Sequence, residues 1–267
     1  FVAPGVPVVT SEGAYPTFNY HVAGFGGRLE KIAFKGDYED PETLLAKARA
    51  VDARLVYLSN PNNPMGSFLD REIIEAMVAE LPDGCLLCLD EAYADFVDAD
   101  ALPAISADHP QVIRMRTFSK AFGMAGMRIG YAITNATIAD AFNRVRNHFG
   151  VNSVGQAAAL AALEDVKHQQ SVRVAVADSL ARIAEIAAAH KCTALPTNTN
   201  FIAIDCGRDG VFAGHVLSSL VEQGIFVRMP GVAPLNRCIR VSAGTPADID
   251  LFETAFPKAL MAANSQD

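Results

Sequence analysis

The stretch Arg116-Thr-Phe-Ser-Lys-Ala-Phe-Gly-Met-Ala-Gly-Met-Arg-Ile-Gly-Tyr131 sets one lysine among small and hydroxylated residues, with an arginine eight positions later. A lysine forms a Schiff base with an aldehyde once burial or nearby positive charge lowers its pKa. Lys120 is the candidate for that chemistry. Thr117 and Ser119 offer hydroxyls and Arg128 a planar fork, the donors a phosphate group requires. Gly123, Gly126 and Gly130 let backbone come close. Taken alone, a Ser-Lys pair is more often a solvated lysine after a strand. Two motifs upstream change that reading.

The first is Leu58-Ser-Asn-Pro-Asn-Asn-Pro-Met-Gly66, which follows an apolar run at residues 55–58. A short β-rich run stopped by two prolines reads as a buried strand ending in a tight loop, although Asn, Pro and Gly populate ordinary turns as well. The second is Cys85-Leu-Leu-Cys-Leu-Asp-Glu-Ala-Tyr93, an apolar strand running into two carboxylates and a tyrosine. A pyridine nitrogen stays protonated beside a carboxylate, and Asp90 is placed to supply one. Tyr93, and Asn63 from the neighbouring strand end, could hydrogen-bond a ring oxygen. The alternative for Asp90 and Glu91 is a helix N-cap region. Strand, turn and acid at the C-terminal edge of a sheet is where open α/β folds put their ligands.

Together these motifs resemble the fold-type I pyridoxal-phosphate aminotransferases of class I and II, most closely the histidinol-phosphate aminotransferase branch. The resemblance runs from about Val9 to the C-terminal helix. It implies Lys120 as the Schiff-base lysine and the catalytic general base and acid, with Asp90 on the ring nitrogen. It also implies Asn63 and Tyr93 on the ring oxygen, and Thr117, Ser119 and Arg128 on the phosphate. Tyr15, in Glu-Gly-Ala-Tyr-Pro-Thr-Phe, is similar to the aromatic that stacks on the ring; a turn or core aromatic is the alternative. Cys238-Ile-Arg-Val-Ser-Ala-Gly-Thr245 resembles the segment whose arginine, here Arg240, clamps the substrate carboxylate. Arg228 sits where the branch often has a second anion-binding arginine. An arginine in an alternating strand is otherwise a surface residue with a snorkelling stem.

The implied activity is transfer of an amino group from an amino acid or amino-alcohol phosphate to a keto acid, with 2-oxoglutarate as the expected acceptor. The implied assembly is a homodimer in the full-length form. A phosphothreonine-type decarboxylase carries the same motifs and is the alternative enzyme; a non-catalytic fragment is the third reading. Family members begin with an arm and a loop bearing Gly/Ala, Ser and an acidic residue, whose amides hold the cofactor phosphate. Phe1-Val-Ala-Pro-Gly-Val-Pro-Val-Val resembles the strand after that region, so the chain is expected to be a fragment or truncated gene product.

Composition agrees with a cytoplasmic enzyme. At 267 residues, 51% hydrophobic and 19% charged, the chain can hold one large or two smaller domains. No apolar run reaches the ~18 residues of a membrane span, and no secretory signal opens the sequence. A formal charge of −8 disfavours nucleic acid as a partner. Five cysteines without framework spacing suggest reduced thiols. Cys85 and Cys88 have the spacing of a zinc half-site but lack a second pair, and read as core rather than metal ligands.

Strand-like and helix-like runs alternate, the signature of an α/β fold. The expected architecture is a three-layer, mainly parallel sheet in a large cofactor-binding domain, residues 1–150, incomplete at its N-terminus. An interdomain helix and a smaller C-terminal α/β domain occupy residues 151–267. Strands are expected at 55–58, 86–89, 112–115 and 128–133, then at 201–204, 224–227 and 239–241. Helices are expected at 70–80, capped by Asp70 and stopped by Pro82, at 153–190 with a break near Glu164 and Asp165, and at 211–223 and 246–262.

Overall fold

In the computed structural model, which describes residues 1–265, the chain divides into two units. The first comprises Phe1–Asn62 and Phe68–Gln170; the second comprises Asn63–Ser67 and the chain from Ser171 onward.

The first unit opens with β1 (Pro7–Ser11), α1 (Pro16–Gly24), β2 (Arg28–Ile32), α2 (Pro41–Val51), β3 (Leu55–Ser59), α3 (Arg71–Ala79) and β4 (Leu86–Asp90). After β5 (Val112–Thr117) and β6 (Gly130–Ile133) come α4 (Ala136–Val145) and α5 (Ser153–Glu164). The sheet order is β2-β1-β3-β4-β5-β6, with every pair parallel except β5 and β6. This is the mainly parallel α/β sheet that the alternation predicts.

All five residues of β3 are buried, as an inner parallel strand covered on both faces requires. Leu58, Leu87 and Leu89 are fully buried in a core shared with Leu44, Ile74 and Met77 from α2 and α3. Truncating any of these leucines to alanine would cost about 2–5 kcal/mol. The edge strand β2 carries Arg28, Glu30 and Lys31 instead, charges that blunt an open edge.

The expected runs at 55–58, 86–89 and 112–115 fall inside β3, β4 and β5. The run at 128–133 is shortened, because Arg128 takes a left-handed backbone conformation at φ 54° and pairing begins only at Gly130. A Cβ at Gly130 would come within 2.7 Å of the Arg116 carbonyl oxygen, so a glycine lets this strand approach β5. Asp70 stands at the N-cap of α3 and Glu80 at its C-cap. The break between α5 and α6 (Val166–Ala189) lies at Asp165, as expected.

In the second unit β7 (Thr193–Ala194), β8 (Phe201–Asp205) and β9 (Cys238–Ser242) form an antiparallel sheet. Helices α7 (Gly210–Glu222) and α8 (Pro246–Asn264) share its core through Val216, Leu220, Phe252 and Phe256. Thr245 and Asp248 cap α8 reciprocally, as a capping box does.

The strand expected at 224–227 is not one. Gly224 (φ 80°) donates to Val221 O and Ile225 to Leu220 O, both at 2.9 Å, which is the six-to-one, five-to-two closure of a helix end. Ile225 then packs on the core beside Leu220, so the apolar residues that imitate a strand end a helix instead. Only Arg228 pairs, in an isolated antiparallel bridge with Arg240. Gly66 (φ 81°) lies in the short segment Asn63–Ser67; a Cβ there would sit 2.3 Å from Thr197 Oγ1. Any other residue would push Thr197 away.

Candidate active site

Parallel strands gather their C-terminal ends on one edge of the first unit's sheet, where β1, β3, β4 and β5 finish in Ser11, Ser59, Asp90 and Thr117. Asp90 Oδ2 accepts from Tyr57 Oη at 2.7 Å, and Oδ1 accepts from Ala92 N–H at 3.0 Å. Asn60 N–H donates to the Asp90 carbonyl at 2.9 Å. Burial raises the Asp90 carboxyl above its ordinary value; Tyr57, the Ala92 amide and the charge of Lys120 pull against that rise. Burial, then the charge of Asp90, raises the Tyr57 phenol. The Tyr57 ring stacks on Phe18 with centroids 4.4 Å apart, which fixes where its hydroxyl points.

Lys120 follows β5 on a loop held by Ser119 N–H to Thr117 Oγ1 (3.1 Å) and Gly123 N–H to Lys120 O (2.9 Å). Its Nζ stands 5.2 Å from the centroid of the Tyr93 ring. That ring is 5% exposed. Thr117 Oγ1 also reaches Ile129 O at 3.5 Å, and Arg128 donates to Ala125 O at 2.8 Å. The structure therefore brings Asp90, Tyr93 and Lys120 together, with Thr117 and Ser119 on the segment that leads into the lysine. Tyr15 is the N-cap residue of α1 and is 43% exposed. Among the described residues no hydrogen bond or ring contact joins it to that group.

Glu91, next to Asp90, is 1% exposed and carries two guanidinium groups. Arg114 grips both its oxygens, from Nε at 3.1 and 3.0 Å and from Nη2 at 2.9 Å, and Arg116 Nε donates to Oε2 at 2.7 Å. Arg116 also reaches Asp95 at 3.4 Å. This clamp and the Tyr57 bond are absent from the sequence reading. A tyrosine inside a fully buried strand was the available signal, since a buried phenol needs a partner. Two arginines at alternate positions of β5, on one face, were the signal for Glu91.

In the second unit, Arg228 and Arg240 exchange two backbone hydrogen bonds, at 3.0 and 2.7 Å. Directly opposed residues of an antiparallel pair project to the same face. The Arg240 guanidinium lies 4.7 Å from the Phe201 ring centroid and donates from Nη1 to Asn63 Oδ1 at 2.6 Å. Arg228 lies 4.9 Å from the Phe226 ring and is exposed.

Asp90 also tests whether these residues suit a cofactor with a protonated ring nitrogen. Its carboxylate is desolvated, its hydrogen-bond partners are a hydroxyl and an amide, and no Lys, Arg or His bonds it among the described residues. A cation from outside the chain fits that vacancy of charge, and the Lys120 amine fits an aldehyde.

A family model for aminotransferase class I and II matches residues 1–255. The chain belongs to the class I and II aminotransferases. Membership agrees with the fold-type I reading and makes this a pyridoxal-phosphate-dependent enzyme. Among curated relatives, histidinol-phosphate aminotransferase 2 of Pseudomonas aeruginosa is 36% identical over 265 residues, 97% of this chain and 70% of the relative. The histidinol-phosphate aminotransferase of Sinorhizobium meliloti, solved in complex with pyridoxal-5'-phosphate, matches with a TM-score of 0.96 at 50% identity. That match covers 100% of this aminotransferase and 73% of the solved chain. A decarboxylase from Sulfurospirillum multivorans matches with a TM-score of 0.79 at 25% identity, covering 95% of this chain and 75% of its own.

Proposed function

We propose that this aminotransferase takes an amino-alcohol phosphate of the histidinol phosphate kind, or an aromatic amino acid, as amino donor and 2-oxoglutarate as acceptor. The observation that carries the reading is the bridged pair Arg228 and Arg240, two guanidinium groups on one face of a strand pair. Substrates with a carboxylate or a phosphate monoester need such donors. Arg240 would hold the carboxylate of the keto acid, and the pair would also accept the donor's phosphate.

When bound, pyridoxal phosphate supplies an aldehyde for the amino group and a ring that accepts the electrons of the Cα–H bond. Asp90 would hold a proton on the ring nitrogen through a carboxylate that no Lys, Arg or His hydrogen-bonds among the described residues. On the family's pattern Tyr93 and Asn63 would donate to the ring oxygen, and Tyr15 would pack on the ring. Thr117, Ser119 and Arg128 would hold the phosphate. Lys120 would hold the aldehyde through its Nζ and, when that amine is free, would move the proton of the substrate's Cα–H bond as base and then acid.

A cytoplasmic homodimer belongs to the same proposal. All five cysteines are free thiols, and no helix among the described residues is long and apolar enough to cross a membrane. The free thiols are compatible with a reducing compartment.

The test is borohydride reduction with pyridoxal phosphate, followed by transfer assays. Label should appear at Lys120 and vanish in Lys120→Ala; label retained on another lysine would overturn the assignment. Amino transfer from histidinol phosphate to 2-oxoglutarate should exceed that from other donors. Carbon dioxide release without a keto acid would replace the reading with a decarboxylase.

A further inference from the structure

Glu39, two residues before α2, is 2% exposed, and none of the roles above uses it. Its Oε1 accepts from Asn62 Nδ2 at 2.7 Å, Ser59 Oγ at 3.0 Å and Ser59 N–H at 3.4 Å, and its Oε2 accepts from Ser11 Oγ at 3.1 Å. Asn62 Nδ2 also donates to Ser59 Oγ at 3.0 Å. No Lys, Arg or His bonds this carboxylate among the described residues. Burial pushes its pKa up to about 7. A buried, uncompensated carboxyl costs stability, so its placement calls for a reason.

The partners supply one. Ser11 ends β1 and Ser59 ends β3, two paired strands, and Asn62 lies in the loop that follows β3. Ser59 is the register partner of Asp90, and the next residue, Asn60, donates its N–H to the Asp90 carbonyl. Tyr57, two residues before Ser59 and therefore on the same face, donates to Asp90 Oδ2. Glu39 acts on the Tyr57 phenol through its charge, which places the two side chains within electrostatic reach. One buried carboxyl thus ties together the strand ends that hold Asp90.

We infer that Glu39 is a positioning residue: by fastening the ends of β1 and β3 and the loop at Asn62, it fixes the edge that aims Asp90 at the cofactor ring. The cofactor part rests on the function proposed above; the fastening does not. A glutamine in this place keeps an acceptor oxygen toward Ser59 and Asn62 and can donate to Ser11 Oγ, whereas an alanine abandons four donors. The two substitutions therefore separate the hydrogen-bonding role from mere space-filling.

The experiment uses the 267-residue chain and two readouts: amide hydrogen exchange without cofactor, and titration with pyridoxal phosphate. Glu39→Ala should speed exchange at residues 57–62 at least ~10-fold while leaving residues 112–117 within ~3-fold, as loss of local hydrogen bonds predicts. It should also weaken cofactor binding at least ~10-fold, and Glu39→Gln should restore most of both. Unchanged exchange at 57–62 in Glu39→Ala, or loosening spread equally to 112–117, would overturn the inference. If Glu39→Ala does not fold, Asn62→Ala should show the same local loosening to a smaller degree, and its absence would count against the proposal. A wild-type chain that takes up no cofactor would defeat the functional reading alone, because the exchange comparison still decides the role of Glu39.

Discussion

Asp90 and Glu91 are consecutive carboxylates at the end of one strand, and the protein treats them in opposite ways. Alternation sends their side chains to different sides. Glu91 meets the guanidinium groups of Arg114 and Arg116, whereas Asp90 meets a phenol and a backbone amide. Charge compensated inside the protein locks β4 to β5. Charge met only by neutral hydrogen-bond partners is, under the function proposed above, the charge that would face a cation arriving with the cofactor. Glu39 belongs with Asp90 in this division, since its partners are neutral too.

The largest effect should come from the compensated side. Glu91→Ala leaves two largely buried arginines without their shared acceptor and should cost about 3–5 kcal/mol of stability, read from the midpoint and slope of urea unfolding. An unchanged midpoint would erase the distinction between the neighbours. Next is the pH dependence set by Glu39. Its folded pKa of about 7 exceeds the ordinary 4.5, so the folded state holds a proton that the unfolded state has lost. Stability from this group is full below about pH 4.5 and falls as pH rises through 7, by as much as ~3 kcal/mol; the raised Asp90 pulls the same way. Tyr57, the titratable group facing it, stays neutral across this window. Urea unfolding of Glu39→Gln at pH 5 and pH 8 should show a smaller difference than wild type, and an equal difference would reassign the slope.

Asp90→Asn should leave stability unchanged or higher while lowering turnover ~100-fold, about 2.7 kcal/mol. A neutral amide stabilises a pyridinium far less than a carboxylate does. If turnover held and stability fell, Asp90 would belong with Glu91. The smallest effect is that of Tyr57→Phe, which removes one hydrogen bond to a charged group and should cost ~1–3 kcal/mol, with a turnover loss well below that of Asp90→Asn. Steady-state rates at saturating cofactor would check both.

The ordering of strands and helices was legible wherever an apolar run ended in turn chemistry, as at Leu58 before Asn60-Pro61 and at Leu89 before Asp90. The positions of Asp90 at the end of β4 and of Lys120 on the loop after β5 were legible from the same apolar runs. The failure at 224–227 has a local cause: periodicity cannot distinguish an apolar strand from the hydrophobic seal of a helix end, and the left-handed Gly224 decides it. Glu39 could not be read, because a buried glutamate looks like a solvated one until Ser11, Ser59 and Asn62 converge on it from other elements. Glu91 was hidden for the same reason, its arginines lying 23 and 25 residues away.

The second unit owns five residues, Asn63–Ser67, from the middle of the first unit's sequence. There Asn63 accepts from Arg240, and the Gly66 carbonyl accepts from Asn198 N–H at 3.0 Å. No single cleavage or gene-fusion breakpoint can therefore separate the two units intact. A polypeptide started at Ser171 would strand Arg240 and Asn198 away from the oxygens they bind, and a chimaera that exchanges the C-terminal half with a relative must carry a matching Asn63 and Gly66 in the half it keeps.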